Sequence, residues 1–262
     1  MGGWVADELR DRVAIVTGAG TGIGRGTALR LAEEGATVVV AGRRVELLEE
    51  TVAQISDLDT GGGVAIAADV SDEAEVGRLF GETVSRFGQV DVLVNNAAIA
   101  GEVGNIWELS LDGWNEALAI NLTGPWLCTR EAARVMMPRS YGKIVNIGSV
   151  SGKRPLATRT PYTATKMGLV GLTRTAAAEL GEYNINVNNI SPGAVDTPRL
   201  QELAEKWNRP VDELIEGMAS LSALKRISTP ADIAECALFL ASDRSRNITG
   251  FDITVDCGVW FS

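Results

Sequence analysis

The chain has 262 residues, a net charge of −10 and no histidine. The length suits one large α/β domain with a substantial core, and the acidic balance makes nucleic acid and anionic membranes poor partners. Without histidine there is no Ser-His-Asp hydrolase, no Cys-His protease and no HExxH metal site, so proton chemistry falls to Tyr, Lys, Asp, Glu or Cys.

Val13 to Thr17 reads as a buried strand, and Arg25 to Glu34 as a helix. Between them lies Gly18-Ala19-Gly20-Thr21-Gly22-Ile23-Gly24. Strand, glycine loop and helix make a phosphate cradle. Glycine lets the backbone approach a pyrophosphate, and the helix N-terminus offers free N–H groups and a positive dipole end. Thr37 to Ala41 is a second strand, ending in Gly42-Arg43-Arg44. An acidic residue here would hold a ribose 2′-OH, whereas arginine accommodates a 2′-phosphate. Arg43 and Arg44 are either that phosphate seat or two solvated arginines opening a surface helix. NADP(H) is the favoured reading and NAD(H) is admissible.

Val64 to Ala68 is a third strand, closed by Asp69-Val70. Ser71 or Asp72 can cap the next helix, with Glu75 in its first turn. Asp91 to Val94 is a fourth strand, closed by Asn95-Asn96-Ala97-Ala98, small enough to lie against a flat ring. Asp112 to Met137 has helical pattern, but Asn121-Leu122-Thr123-Gly124-Pro125 interrupts it. The break either seats a water or a side chain or is a plain kink. Lys143 to Ile147 is a fifth strand, followed by Gly148-Ser149, and Ile185 to Ile190 a sixth, ending at Ser191-Pro192-Gly193. The stretch from Thr197 to about Arg226 has helical pattern and few anchors, so residues 194–226 read as a mobile lid. Pro230 opens a last helix running to Ala241, and Phe251 to Val255 is the final strand. The strand-helix alternation predicts right-handed βαβ units and one doubly wound parallel sheet, with ligands at the strand carboxyl ends.

The three cysteines, Cys128, Cys236 and Cys257, are far apart. That suits a reducing cytosol and argues against a disulfide framework or a metal site. The region around Asp7, Glu8, Arg10, Asp11 and Arg12 has no apolar signal core, and no apolar run approaches membrane-spanning length. A cytoplasmic protein is expected.

Tyr162 and Lys166 sit four residues apart, which places both side chains on one face of a helix. A phenol has a reference pKa of about 10. A neighbouring ammonium favours the phenolate and lowers that value. A tuned tyrosine can then exchange a proton with an alcohol or carbonyl oxygen.

Together the motifs resemble a classical short-chain dehydrogenase/reductase over nearly the whole chain. The matching pieces are Thr17-Gly18-x-x-x-Gly22-x-Gly24, Asp69, Asn95-Asn96-Ala97, Asn121, Ser149, Tyr162-x-x-x-Lys166 and Pro192-Gly193. Ala98 departs from the pattern, since many relatives carry glycine there. The resemblance implies a single-domain Rossmann fold, with a seven-stranded sheet in order 3-2-1-4-5-6-7. It implies a nicotinamide cofactor, a small-molecule alcohol or carbonyl substrate and a homotetramer. Tyr162 would be the general acid-base group. Lys166 would lower its pKa and bind the nicotinamide ribose, Ser149 would hydrogen-bond the substrate oxygen, and Asn121 would hold a water behind Lys166. Asp69 would meet the adenine, and Thr197 with Pro192-Gly193 would face the nicotinamide. The cofactor-binding set is then Gly18, Thr21, Gly22, Ile23, Gly24, Arg43, Arg44, Asp69, Val70, Asn95, Ala97, Tyr162, Lys166, Pro192, Gly193, Val195 and Thr197.

The substrate is expected to be a small polyol, sugar or hydroxy acid. A 3-oxoacyl-carrier-protein reductase is the alternative. Arg134 could dock the carrier, but Ala176-Ala177-Ala178 stands where a second arginine is expected. A non-catalytic NADP-sensing protein is the alternative of another class, and it would normally lack the tyrosine or the lysine. Two segments stay open. Lys153, Arg154 and Arg159 either point to solvent, or Arg154 or Arg159 faces the cleft and selects an anionic substrate. Trp260 and Phe261, in the apolar tail Val259 to Ser262, are either buried across a subunit interface or folded back on their own subunit.

Overall fold

The strand β1 (Val13–Thr17) is buried at every residue, the mark of a strand covered on both faces. Its side chains alternate between two cores, Ala14 and Val16 entering one and Ile15 the other. The computed structural model describes residues 7–206 and 208–261. Ser262 of the apolar tail lies outside them. Six more strands are β2 (Thr37–Gly42), β3 (Gly62–Ala67), β4 (Val92–Asn95), β5 (Gly142–Ile147), β6 (Ile185–Pro192) and β7 (Asp252–Val255). All pair in parallel, in the order β3-β2-β1-β4-β5-β6-β7. This is the sheet order expected from the resemblance.

The helices are α1 (Gly22–Glu33), α2 (Val45–Ser56), α3 (Glu73–Phe87), α4 (Leu111–Leu118), α5 (Gly124–Met136), α6 (Thr160–Leu180), α7 (Pro198–Lys206), α8 (Val211–Ser220) and α9 (Pro230–Ala241). One core gathers Leu31 of α1, Leu48 and Ile55 of α2, and Ile233 and Leu240 of α9. The other gathers Leu79 and Phe80 of α3, Leu127 and Met136 of α5, and Leu180 of α6. Helices thus cover both faces of one sheet. The chain leaves β1 toward one edge and returns to β4 on its other side. That reversal opens a crevice between β1 and β4, outside the strand carboxyl ends.

Local chemistry sets the helix starts. Asp72 accepts from the N–H groups of Ala74 and Glu75 and caps α3. At α9, Thr229 and Asp232 form a reciprocal capping box ahead of Pro230. Each such cap contributes about 1 kcal/mol. Asp91 was expected inside the fourth strand but lies just before it, fully buried. Its carboxylate accepts from the Val13 N–H at 2.8 Å and pairs with Arg139 at 2.9 Å. Arg139 is exposed, so the ion pair itself adds little, and it is the bond to the Val13 N–H that ties Asp91 to β1.

Other boundaries also move. β3 starts at Gly62 and not at Val64. Gly63 carries no side chain and lets Ile55 of α2 pack directly on the strand. β7 starts at Asp252, leaving Phe251 exposed. The helix over 112–137 is not broken. A π-helical turn, Ala119–Thr123, joins α4 to α5 without a gap. Proline cannot donate an N–H, so the Asn121 carbonyl has no donor at the ordinary position of Pro125. In the wider turn the Gly124 N–H donates to the Ala119 carbonyl, five residues back.

The 194–226 region is more built than its few anchors suggested. α7 and α8 pack on each other through Leu200, Ala204 and Leu214, a small cluster separate from both main cores. At the tail, Phe261 is 77% exposed and Trp260 37%. The Trp260 N–H donates to the Asp256 carboxylate at 2.7 Å, but Phe261 is not folded into its own subunit.

Candidate active site

The crevice is lined first by backbone. Thr17 ends β1, and its hydroxyl accepts from the N–H groups of Asn96 at 3.0 Å and Ala97 at 3.1 Å. The Asn96 amide donates back to the carbonyls of Thr17 at 2.9 Å and Gly18 at 3.1 Å. The ends of β1 and β4 are therefore stitched together. Gly18 has φ +64°, and a Cβ there would lie 2.8 Å from the Ala97 Cα. Only glycine fits such an approach. Thr21, in extended conformation, precedes α1 and gives it no side-chain cap, and the first turn of α1 carries no acidic residue. Its N–H groups and dipole are left for an outside anion.

Other expected residues gather around this helix start. Thr197, after β6, comes within 3.3 Å of where a Gly22 Cβ would sit. Across the crevice, Arg43 lies 3.7 Å from Asp69, both at the ends of neighbouring strands. Burial pushes the Asp69 carboxyl up, but hydrogen bonds from Ser71 and the Arg43 charge leave it below the usual range. Arg44 precedes α2 and is exposed. A Cβ on Gly42 would meet Leu48 at 3.4 Å and the Gly18 Cα at 3.8 Å, ordinary contact distances that admit a side chain. An uncapped helix start, glycine approach and nearby arginine fit a dinucleotide with its pyrophosphate on α1.

Asn95 was expected in the cofactor-binding set. Its amide turns into the fold, donating to Asn146 at 2.8 Å, Thr129 at 3.2 Å and the Pro125 carbonyl at 3.4 Å. It braces β4 against β5 and α5, so its side chain is not available to a cofactor. Val70 is buried and packs on Gly124, so only its backbone can face a ligand. Ile23 packs onto the core, Val195 bridges to Ser228, and Gly193 lies tight against Asp256.

The candidate proton-handling groups meet at the other side of the crevice. α6 opens with Pro161 in its first turn, and Tyr162 follows. One turn later Lys166 is 3% exposed, with Nζ donating to the Ile147 carbonyl at 2.7 Å and lying 5.7 Å from the Tyr162 ring centre. Ser149, after β5, holds the Ser151 N–H on its hydroxyl. Asn121, fully buried, accepts from the Ile99 N–H at 2.8 Å and donates to the Ile99 carbonyl at 3.0 Å. Its amide is thus committed to the loop after β4.

Two guanidinium groups complete the cluster. Arg159 lies 5.1 Å and Arg199 5.3 Å from the Tyr162 ring centre. Arg159 was one of the two loop arginines considered. Lys153 is tied to Thr254 at 2.6 Å and Asp252 at 3.1 Å, beside β7. Arg199 was not foreseen, because it comes from α7 and only the fold brings it to Tyr162.

Burial alone pushes the Tyr162 phenol up. The Lys166 charge, the Arg199 charge, a hydrogen bond from Ser149 and the Arg159 charge together outweigh it, so the phenol is lowered. Burial also disfavours the Lys166 ammonium, and although the Tyr162 phenolate supports it, its pKa falls. A half-buried phenol so placed can act as acid or base near neutral pH.

Comparison with known proteins agrees with this geometry. A family model described as enoyl-(acyl carrier protein) reductase matches residues 18–260. The chain is 40% identical to a short chain dehydrogenase/reductase of Aspergillus oryzae, over 96% of each protein. It is 36% identical to a 3beta-hydroxysteroid dehydrogenase of Mediterraneibacter gnavus, over 98% of each. The crystal structure of levodione reductase superposes with a TM-score of 0.91 at 33% identity, covering 95% of this chain and 97% of that one.

The electrostatics generate a pH prediction. Alcohol oxidation needs the phenolate, so its kcat/KM should rise with pH through the Tyr162 pKa and level off above it. Lys166→Met removes the largest attraction on the phenolate. The rising limb should move to higher pH, each unit corresponding to about 1.36 kcal/mol. A pH profile of both proteins checks this, and an unmoved limb would contradict it.

Proposed function

The chain belongs to the classical short-chain dehydrogenase/reductase family, whose members use a nicotinamide cofactor, and on that premise we propose that it interconverts a secondary alcohol and a ketone with NADP(H), Tyr162 moving the proton. The chain is an oxidoreductase acting on CH–OH groups. The observation that carries the finer reading is the lowered phenol of Tyr162 beside the buried Lys166. When bound, the nicotinamide supplies or takes the hydride.

The protein's own residues handle the oxygen and its proton. In reduction, the carbonyl oxygen gains charge and takes the proton from the Tyr162 hydroxyl. Lys166, Arg159 and Arg199 then stabilise the phenolate left behind. In oxidation the phenolate removes the alcohol proton. Ser149 donates to the same oxygen, and the bond strengthens as negative charge develops there. Asn121 holds Ile99 through its amide. Its carbonyl, freed by Pro125, is the better seat for a water that returns protons toward Lys166 and Tyr162. Lys166 also serves the nicotinamide ribose, and Asp69 the adenine.

NADP(H) is preferred because no carboxylate stands at Gly42. The Arg43–Asp69 pair is half exposed and such pairs contribute little, so Arg43 can turn to a 2′-phosphate. The substrate is a small polyol, sugar or hydroxy acid. Carrier-protein reduction is less well supported. Arg134 is tied to Glu131 at 2.7 Å, and Ala176 and Ala177 are buried in the core. Residues 194–226 act as the substrate lid. The protein is cytoplasmic in this reading. Burial pushes the free thiols of Cys128 and Cys236 up to about 12 and about 11, which suits inert reduced cysteines. Among the described residues no helix is long and apolar enough to cross a membrane.

Tyr162→Phe removes the transferable proton and little else. Turnover should be lost while cofactor binding, followed by fluorescence titration, persists; activity within tenfold of wild type would sink the assignment. For the cofactor, losing one charge-assisted hydrogen bond should cost about 10- to 150-fold in NADPH affinity. Gly42→Asp combined with Arg43→Ala should therefore turn the preference to NADH, and a wild type already favouring NADH in kcat/KM would refute the reading. The tail bears on assembly. Phe261 is exposed beside β7, an uncovered sheet edge, and we place both in the interface of a homotetramer. Removing residues 259–262 should lower the mass seen by light scattering and the melting temperature. Unchanged mass, melting point and KM would exclude the interface.

A further inference from the structure

We propose that Arg159 and Arg199 together form a seat for an oxyanion on the substrate, so that the alcohol or ketone carries a carboxylate or comparable oxyanion within a few bonds of the reacting carbon. This rests on the reading of Tyr162 as the proton-transferring group.

Charge bookkeeping points there first. The chain is strongly acidic, and most of its arginines find carboxylates. Arg25 pairs with Glu50, Arg30 with Glu34, Arg78 with Glu82, Arg130 with Glu73 and Arg139 with Asp91. Arg159 and Arg199 have no ion-pair partner among the described residues. They nevertheless face one phenol from 5.1 and 5.3 Å. Arg159 is half-buried, and its charge is penalised by burial and by repulsion from Arg199. Arg199 is exposed and water solvates its charge, so the cost falls on the half-buried Arg159, whose charge has no counter-ion unless a ligand supplies one. An oxyanion spanning both would answer both charges, and the planar guanidinium matches such a group in two-point fashion.

Position argues for the substrate. The ring that both arginines face ends in the hydroxyl where the reacting oxygen must sit. An anion between them therefore lies beside the reacting carbon. The cofactor pyrophosphate already has a separate seat at the uncapped start of α1. The two arginines also come from different parts of the fold. Arg159 directly precedes α6, whereas Arg199 sits in the first turn of α7 on the lid. An anion bridging them would link the lid to the catalytic helix only when the right substrate is present.

The test compares matched substrates in one enzyme. Short 2-oxo and 3-oxo carboxylates are set against their methyl esters, with phosphate monoesters of hydroxy ketones as a second anionic arm. Wild type should prefer an anion over its neutral counterpart in kcat/KM by about 10- to 150-fold, the range for a charge-assisted hydrogen bond. Preference in either anionic arm supports the seat and identifies its oxyanion. Arg159→Gln and Arg199→Gln should each cut that preference at least tenfold, mainly through KM, and Arg→Lys should restore part of it. Both glutamine variants also remove positive charge from Tyr162, so rates on all substrates will change. The anion-to-neutral ratio cancels that effect and is the quantity to read.

A second measurement needs no turnover. Malonate should raise the melting temperature of the wild type by mass action and fail to do so in Arg199→Gln. A wild-type ratio at or below one, or a ratio unchanged in both glutamine variants, would overturn the proposal. So would Arg199→Gln weakening cofactor binding alone, which would assign that guanidinium to the pyrophosphate. If neither substrate type is turned over, the Tyr162 reading fails, and the malonate shift then decides for or against the seat by itself.

Discussion

The Lys166 ammonium is almost wholly withdrawn from water, and its Nζ reaches the Ile147 carbonyl at 2.7 Å. Taking a charge out of water costs several kcal/mol, on the order of the penalty that real proteins pay per buried ion. The site must return that energy locally. One part comes from the carbonyl that ends β5, which also pins α6 to the carboxyl edge of the sheet. Another comes from Tyr162, whose phenolate attracts the ammonium. The two groups therefore support each other's charged forms and titrate as a pair. Moving either one would change the chemistry of the other.

Placement of that pair depends on a second constraint, the crevice between β1 and β4. The backbones of these strand ends approach more closely than side chains would allow, and the Thr17–Asn96 bonds keep them there. Asn95 and Asn146 then carry the same brace from β4 to β5, beneath the loop that bears Ser149. A continuous polar seam thus runs under the crevice from the glycine loop to the proton-handling groups. Being fully bonded within the fold, it positions the site without competing for ligand. This is why Asn95, although in the motif, belongs to the scaffold.

The parallel sheet and its order could be read from the chain because local pattern and strand-helix alternation are backbone-level signals. Strand ends were legible to within two residues. Tyr162 and Lys166 were legible because helix geometry fixes how two residues four apart relate. What escaped was whatever depends on distant partners. Asn121 looked like part of a break, because helix propensity cannot show that a π turn will carry the chain from α4 into α5 without a gap. Its commitment to Ile99 depends on a loop that only the folded sheet brings near. Asp91 looked like a strand residue until Val13 and Arg139 gave its carboxylate partners. Arg199 carried no motif at all, and only the packing of α7 over the crevice gives it meaning.

A chain of net charge −10 with a positive cleft raises the question of which field an incoming anion feels. At physiological ionic strength the Debye length is about 8 Å. Exposed carboxylates such as Glu46, Glu49 and Glu50 on α2 are screened over longer distances. Arg159, Arg199 and Lys166 all lie within 6 Å of the Tyr162 ring centre, inside one screening length. Burial weakens screening further around Lys166. The net charge therefore governs solubility and weak nonspecific contacts, whereas the field inside the cleft is set by these three cations. Arg159 and Arg199, the proposed oxyanion seat, also help Lys166 to lower the Tyr162 phenol, so in the proposed reaction substrate charge and the pKa of Tyr162 are linked. A bound anion would offset part of the cationic field and raise the Tyr162 pKa toward its ordinary value. That shift favours the protonated phenol, the form that carbonyl reduction requires.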